Sequence, residues 1–253
     1  MYTSENAGKK LVTELGNGSQ IIYFPNFFKA NKSSEWLKYL DENIPWTRPN
    51  IFVFGRHCPQ PRDTCYVASE GLPEYKYSGY RPPTHSWNDY PPLKLILNAV
   101  HEALPGSTFN SLLLNKYKSG NDYVGWHSDD EKLYGDTPVI ASISFGCERE
   151  FLLRKKIRRI SREKPSCTRS ANKEQHSFIL KHGSLLVMRG YTQRDWAHSV
   201  PKRTKANGLR INLTFRYVYC ELEQLSRFRE PKIQELTKTI QKEKNAEVKK
   251  ENN

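Results

Sequence analysis

Trp126-His127-Ser128-Asp129-Asp130 holds the residue types best suited to chemistry. On extended backbone, side chains two residues apart point to the same side. His127 and Asp129 can then offer one imidazole nitrogen and one carboxylate oxygen to a single metal ion. A second histidine would complete a set of two His and one carboxylate. Such a set covers one face of an octahedron and leaves the other positions open, which suits non-haem Fe(II) and oxygen chemistry. His198, in Trp196-Ala197-His198-Ser199-Val200-Pro201, is the candidate. A His-x-Asp by itself is common by chance and more often solvated than ligating.

Neighbouring patterns raise its weight. Arg210-Ile211-Asn212-Leu213-Thr214-Phe215-Arg216 alternates strictly. Arg210, Asn212, Thr214 and Arg216 share one face; Ile211, Leu213 and Phe215 share the other. The apolar face predicts packing between a sheet and helices. The opposite face carries guanidinium groups, which seldom sit unpaired in an interior. A dianion would satisfy them, since arginine grips carboxylates through a bidentate fork. Without the metal motif, a solvent-facing strand would serve as well. Asn115 and Tyr117, also two apart, could donate hydrogen bonds to the same anion or simply line a strand edge.

Elements must hold these residues in place. Residues 1–20 are polar, with Gly and Asn, and read as a flexible leader. Residues 21–24 read as a strand ended by Pro25. Trp36, Leu37, Leu40 and Ile44 trace a helix over 33–43, with Ser33 or Ser34 as N-cap. Pro91 opens a second helix, with Leu93, Ile96, Leu97, Val100 and Leu104 on one stripe and Gly106 beyond its end. From residue 111 the chain reads as strands: 111–118, 139–145, 150–154, 178–181, 184–188 and 210–219. That is the cadence of an antiparallel sandwich or barrel. Residues 56–90 are rich in Pro, Tyr and Gly, with little regular structure expected. Arg62, Tyr66, Tyr75, Lys76 and Tyr77 there mix aromatics with cations, which can stack on bases and bind phosphates or simply cover the core. Residues 155–175 form a basic insertion. Residues 221–253 form a charged tail, with Ile233, Leu236 and Ile240 spaced for one weak helix.

Composition bounds the rest. With 253 residues, 37% hydrophobic, the chain is globular. Forty Lys and Arg stand against 27 Asp and Glu, a formal charge of +13. That balance favours a polyanionic partner, nucleic acid before a membrane surface. Five Cys at long spacings, with no CxxC, argue against a disulfide framework or zinc knuckle and for a reducing compartment. No long apolar run reads as a membrane span. A nuclear or cytoplasmic address follows.

Together, Asn115-x-Tyr117, His127-x-Asp129, His198 and Arg210-x-Asn212-x-Thr214-x-Arg216 resemble the AlkB family of Fe(II)- and 2-oxoglutarate-dependent dioxygenases, eukaryotic nucleic-acid repair branch. The segments 127–131, 141–146, 182–186 and 212–216, and Pro61-Arg62 with Tyr66 and 75–78, are similar to that branch. The resemblance spans roughly residues 50–220. It implies an α+β, mainly β chain with a double-stranded β-helix (jelly roll) core, backing helices and an N-terminal nucleotide-recognition lid. One domain would cover 21–220, with the lid at 50–90. His127, Asp129 and His198 would bind Fe(II). Asn115, Tyr117, Arg210, Asn212, Thr214 and Arg216 would hold 2-oxoglutarate, O2 being the oxidant. Phe54, Gly55, Arg56, Arg62, Tyr66, Tyr75, Lys76 and Tyr77 would contact substrate. Asp130 would meet a base made cationic by N-methylation. The implied activity is oxidative demethylation of 1-methyladenine or 3-methylcytosine in DNA, with RNA as a further substrate, by a nuclear monomer. A same-fold dioxygenase acting on proteins or small molecules, and a non-catalytic nucleic-acid binder, are the competing readings.

Overall fold

The structure, a computed structural model, describes residues 10–53, 55–157, 174–220 and 223. Phe54, residues 158–173 of the basic insertion and nearly all of the 221–253 tail therefore lie outside the described residues.

The chain opens with a hairpin, β1 (Leu11–Gly16) and β2 (Ser19–Phe24). Its two-residue turn has Asn17 at φ 51° and Gly18 at φ 73°. Positive φ at both central residues matches strand twist, which is why Asn-Gly suits the turn. The expected flexible leader is thus corrected over 11–20, where Leu11-Val12-Thr13 extends against β2. Helix α1 (Ala30–Asn43) begins before either expected serine cap. Ser33 lies buried inside it and donates to the Phe28 carbonyl at 3.4 Å, so it packs rather than caps.

Next come a hairpin, β3 (Asn50–Val53) with β4 (Arg56–Pro59), then β5 (Asp63–Ala68) and the short β6 (Thr84–His85). The expectation of sparse structure across 56–90 fails at β5, whose residues are all buried between β6 and β7 (Ser111–Tyr117). Strands buried on both faces do not alternate, so their pattern carries no surface signature. Helix α2 (Pro91–Ala103) follows β6, with Leu93, Ile96 and Val100 buried on the expected stripe.

The remaining strands are β8 (Val124–His127), β9 (Ile140–Gly146), β10 (Arg149–Lys155), β11 (Gln175–Leu180), β12 (Ser184–Arg189), β13 (Trp196–Val200) and β14 (Arg210–Arg216). A short helix, α3 (Thr192–Asp195), leads into β13. The major sheet runs β1-β2-β12-β9-β14-β7-β5-β6 and the minor sheet β11-β10-β13-β8. This strand-rich, two-sheet arrangement is a jelly-roll core. Neither β8 nor β13 stands out in the sequence, yet they carry the two histidines.

Two apolar layers flank the major sheet. Ile211, Leu213 and Phe215 of β14 join Trp36 and Leu40 of α1 and Leu93 and Ile96 of α2 on the helix side. On the other side Tyr117, Leu186 and Met188 meet Phe151, Leu153 and Trp196 of the minor sheet. Each fully buried Leu, Ile or Phe contributes roughly 1.5–3 kcal/mol, enough to fix which face of β14 looks inward. Arg210, Asn212, Thr214 and Arg216 therefore look toward the minor sheet.

Candidate active site

Pairing places the histidines. β8 lies at the edge of the minor sheet, antiparallel to β13, with His127 opposite His198. Their ring centroids are 4.2 Å apart. Asp129 is the second residue beyond β8; its Oδ1 lies 3.7 Å from His127 Nε2. One ligand atom from each of His127, Asp129 and His198 falls within 4.8 Å of the others. His127 Nδ1 lies 2.9 Å from the Gly125 carbonyl. With the proton on Nδ1, that bond turns Nε2 and its lone pair inward.

Asp129 is gripped from two sides. Its Oδ2 accepts from Arg216 Nη2 at 2.8 Å and Nε at 3.2 Å. Its backbone N–H donates to Gln193 Oε1 at 3.0 Å, and Gln193 Nε2 contacts Met188 Sδ at 3.1 Å. Burial works against the Asp129 carboxylate, but Arg216, His198 and His127 together hold it below the usual carboxylate range. It stays ionised, as a metal ligand must.

Burial, and then the neighbouring His127, pushes His198 down to about 3. Burial lowers His127 as well. Both imidazoles are thus neutral and free to ligate. The unfolded chain takes up a His198 proton near pH 6.5, which the fold refuses until about pH 3. Folding stability is therefore lost as pH falls below 6.5. The metal-free protein should lose about 1.4 kcal/mol per pH unit from His198 alone between roughly pH 6 and 4. Urea unfolding across that range checks this; in His198→Asn the slope should flatten, and an unchanged slope would count against the assignment.

On β14, Arg210 pairs with Tyr117 and Asn212 with Asn115 across to β7. All of these, with Thr214 and Arg216, line one cavity together with the three metal-type residues. Asn212 Nδ2 donates to Ser142 Oγ at 2.8 Å, Thr214 Oγ1 to Asn212 Oδ1 at 2.9 Å, and Arg210 Nη2 to Ser144 Oγ at 2.9 Å. Arg210 is 1% exposed, yet its Nε and Nη1 have no hydrogen-bond partner. A buried guanidinium in that state lacks an anion.

The recognition segment divides. Arg62, Tyr75 and Tyr77 line the cavity. Arg62 Nε donates to Asn115 Oδ1 at 2.6 Å, and its guanidinium lies 5.8 Å from the Tyr77 ring. Tyr66 is outside the lining and backs Tyr75, stacked at 4.7 Å. Gly55 and Arg56 sit exposed at the β3–β4 turn, and Lys76 is exposed.

Asp130 stands apart from the cavity. It is exposed, outside the cavity lining, and pairs with Lys156 Nζ at 3.0 Å. Glu131 lines the cavity instead, with its Oε2 buried and lacking a partner. Burial, then Asp129, raises its carboxyl above the ordinary range. The spacing carried a signal: Glu131 lies two residues beyond Asp129 and is itself extended, at φ −63° and ψ 138°. Gln193 was missed with no comparable signal, since nothing local links it to Asp129.

The residues fit a metal and a small dicarboxylate: a three-ligand set of two neutral imidazoles and one ionised carboxylate, and beside it a buried guanidinium with two nitrogens lacking partners. Comparison with known proteins agrees. The 2OG-Fe(II) oxygenase superfamily model matches residues 20–216. DNA oxidative demethylase ALKBH2 of Arabidopsis thaliana is 59% identical over 225 residues, 85% of this chain and 72% of that protein. Alpha-ketoglutarate-dependent dioxygenase alkB homolog 3 of Homo sapiens is 39% identical over 79% of this chain and 67% of its own length. DNA oxidative demethylase ALKBH2 of Homo sapiens is 39% identical over 79% and 74%.

Proposed function

This chain is a dioxygenase of the 2OG-Fe(II) oxygenase superfamily and belongs to its AlkB family, and from that premise we propose that it demethylates N-alkylated bases in DNA, working as a monomer in the nucleus. The observation that carries the reading is one cavity shared by three groups: a metal-type triad, Arg210 with its Nε and Nη1 lacking hydrogen-bond partners, and Glu131 with its buried Oε2 lacking one. The charge of +13 and the aromatic wall of Tyr75 and Tyr77 favour a nucleic acid over a protein side chain or small molecule.

When bound, Fe(II) with O2 and 2-oxoglutarate supplies the oxidation that hydroxylates an N-methyl group, so that formaldehyde, succinate and CO2 leave and the base is restored. The chain's residues do the positioning. His127 Nε2, His198 and Asp129 Oδ1 would hold the metal on one face, and Arg216 keeps the other Asp129 oxygen occupied. Arg210, with Tyr117 beside it, would grip the distal carboxylate of 2-oxoglutarate. Arg62 holds the Asn115 carbonyl oxygen, leaving its amide N–H groups for the cosubstrate. An unstacked base would lie against Tyr75 and Tyr77.

Glu131 would select the lesion. N1-methyladenine and N3-methylcytosine are cations, and a partly buried carboxylate attracts them by a few kcal/mol at an effective dielectric near 20. A cation there also offsets the burial that raises Glu131. Purified protein with Fe(II), ascorbate and 2-oxoglutarate should release formaldehyde from methylated oligonucleotides. No turnover on any methylated DNA or RNA, with iron bound, would sink the proposal. Glu131→Gln should lower kcat/KM for cationic lesions roughly 10- to 100-fold, and Asp130→Asn should leave it within about threefold. The reverse order would return the selecting role to Asp130.

A further inference from the structure

Behind the dicarboxylate end of the cavity lies a second buried guanidinium. Arg149, at the start of β10, is 3% exposed. It lines no part of the cavity. Its Nη2 donates to the backbone carbonyls of Asp122 at 2.9 Å and Pro201 at 2.6 Å, and its Nη1 to that of Ser119 at 3.3 Å. The guanidinium carbon lies 5.6 Å from the Tyr117 ring; that of Arg210 lies 4.7 Å from the same ring. Both guanidinium groups thus lie within cation–π range of one ring.

Neither arginine forms an ion pair among the described residues. The carboxylate of Asp122 is turned away: Oδ2 accepts from Arg48 Nη2 at 2.9 Å and from the Lys118 N–H at 2.8 Å. Three carbonyls satisfy the Arg149 N–H groups they meet but bring no net charge. Burial disfavours the Arg210 charge, and Arg149 disfavours it further. Two buried cations without a direct ion pair among the described residues thus lie at one end of the site. Burying a cation is costly without a counter-charge. A stitch between the 119–122 turn and Pro201 needs hydrogen bonds and not a full charge. The charge has a use if an anion arrives in the cavity that Tyr117 lines.

We propose that Arg149 is a positioning residue for the cosubstrate, steadying the Tyr117 ring by its cation–π contact and adding a second positive charge near the seat of the distal carboxylate of a C5 dicarboxylate. This rests on the reading of Arg210 and Tyr117 as that seat.

The test measures 2-oxoglutarate affinity by calorimetry on Mn(II)-loaded protein with no oligonucleotide present. Its failure is thus separate from any failure of the demethylase reading. Arg149→Met should weaken 2-oxoglutarate by about tenfold. Arg149→Lys, which keeps the charge and loses the fork, should recover part of that. In turnover, KM for 2-oxoglutarate should rise while kcat at saturating cosubstrate and KM for the oligonucleotide stay within about twofold. Unchanged 2-oxoglutarate affinity in Arg149→Met overturns the proposal. So does an equal loss of affinity for cosubstrate and oligonucleotide, which marks a general structural role. If Arg149→Met does not fold, Arg149→Lys decides: weaker 2-oxoglutarate with kcat kept supports the proposal, and unchanged affinity overturns it.

Discussion

His127→Ala should reduce formaldehyde release from methylated oligonucleotides by a thousandfold or more, on the order of 4 kcal/mol of lost transition-state stabilisation. The substitution leaves one imidazole and one carboxylate, too few to hold an open metal face. It also removes the Nδ1 contact with the Gly125 carbonyl that orients the ring. The fold should survive. His127 ends β8, an edge strand of the minor sheet, and its side chain is 28% exposed. An unchanged thermal midpoint with lost Fe(II) binding and lost turnover is therefore the expected pair of results. Wild-type turnover in the variant would remove His127 from the metal set.

Arg216→Met should destabilise the metal-free protein by roughly 3–5 kcal/mol. Arg216 and Asp129 are both 6% exposed and joined by two hydrogen bonds to Oδ2. Removing the cation leaves a buried carboxylate without compensation. Adding Asp129→Asn should recover part of the loss, because the amide has no charge to strand. Fe(II) should also stabilise Arg216→Met more than it stabilises wild type, since the metal takes over the missing positive charge. Urea titrations with and without metal test both points. A loss under about 1 kcal/mol would mean that water reaches Asp129 and that the pair is not buried in solution.

These results depend on features of very different legibility in the sequence. The 210–216 alternation was readable because strand side chains follow a fixed period, and burial of Ile211, Leu213 and Phe215 against the helices dictates the rest. The same period joined His127 to Asp129. Glu131, two positions further on, also lines the cavity, and Asp130 does not. The stripe of α2 was legible for the same reason, while β5 was not, since a strand covered on both faces shows no alternation.

By itself the sequence determined the ligand types, their faces and the excess of positive charge, because these follow from local periodicity and composition. Only the tertiary structure decided their partners. His198 meets His127 because β13 pairs with β8, and Gln193 reaches the Asp129 amide across 64 positions of chain. Arg149 lies beside the Tyr117 ring, and Lys156 pairs with the exposed Asp130. Such neighbours are set by which strands pair and how two sheets stack. That choice is made by the packing of whole apolar layers, and no short window of sequence carries it.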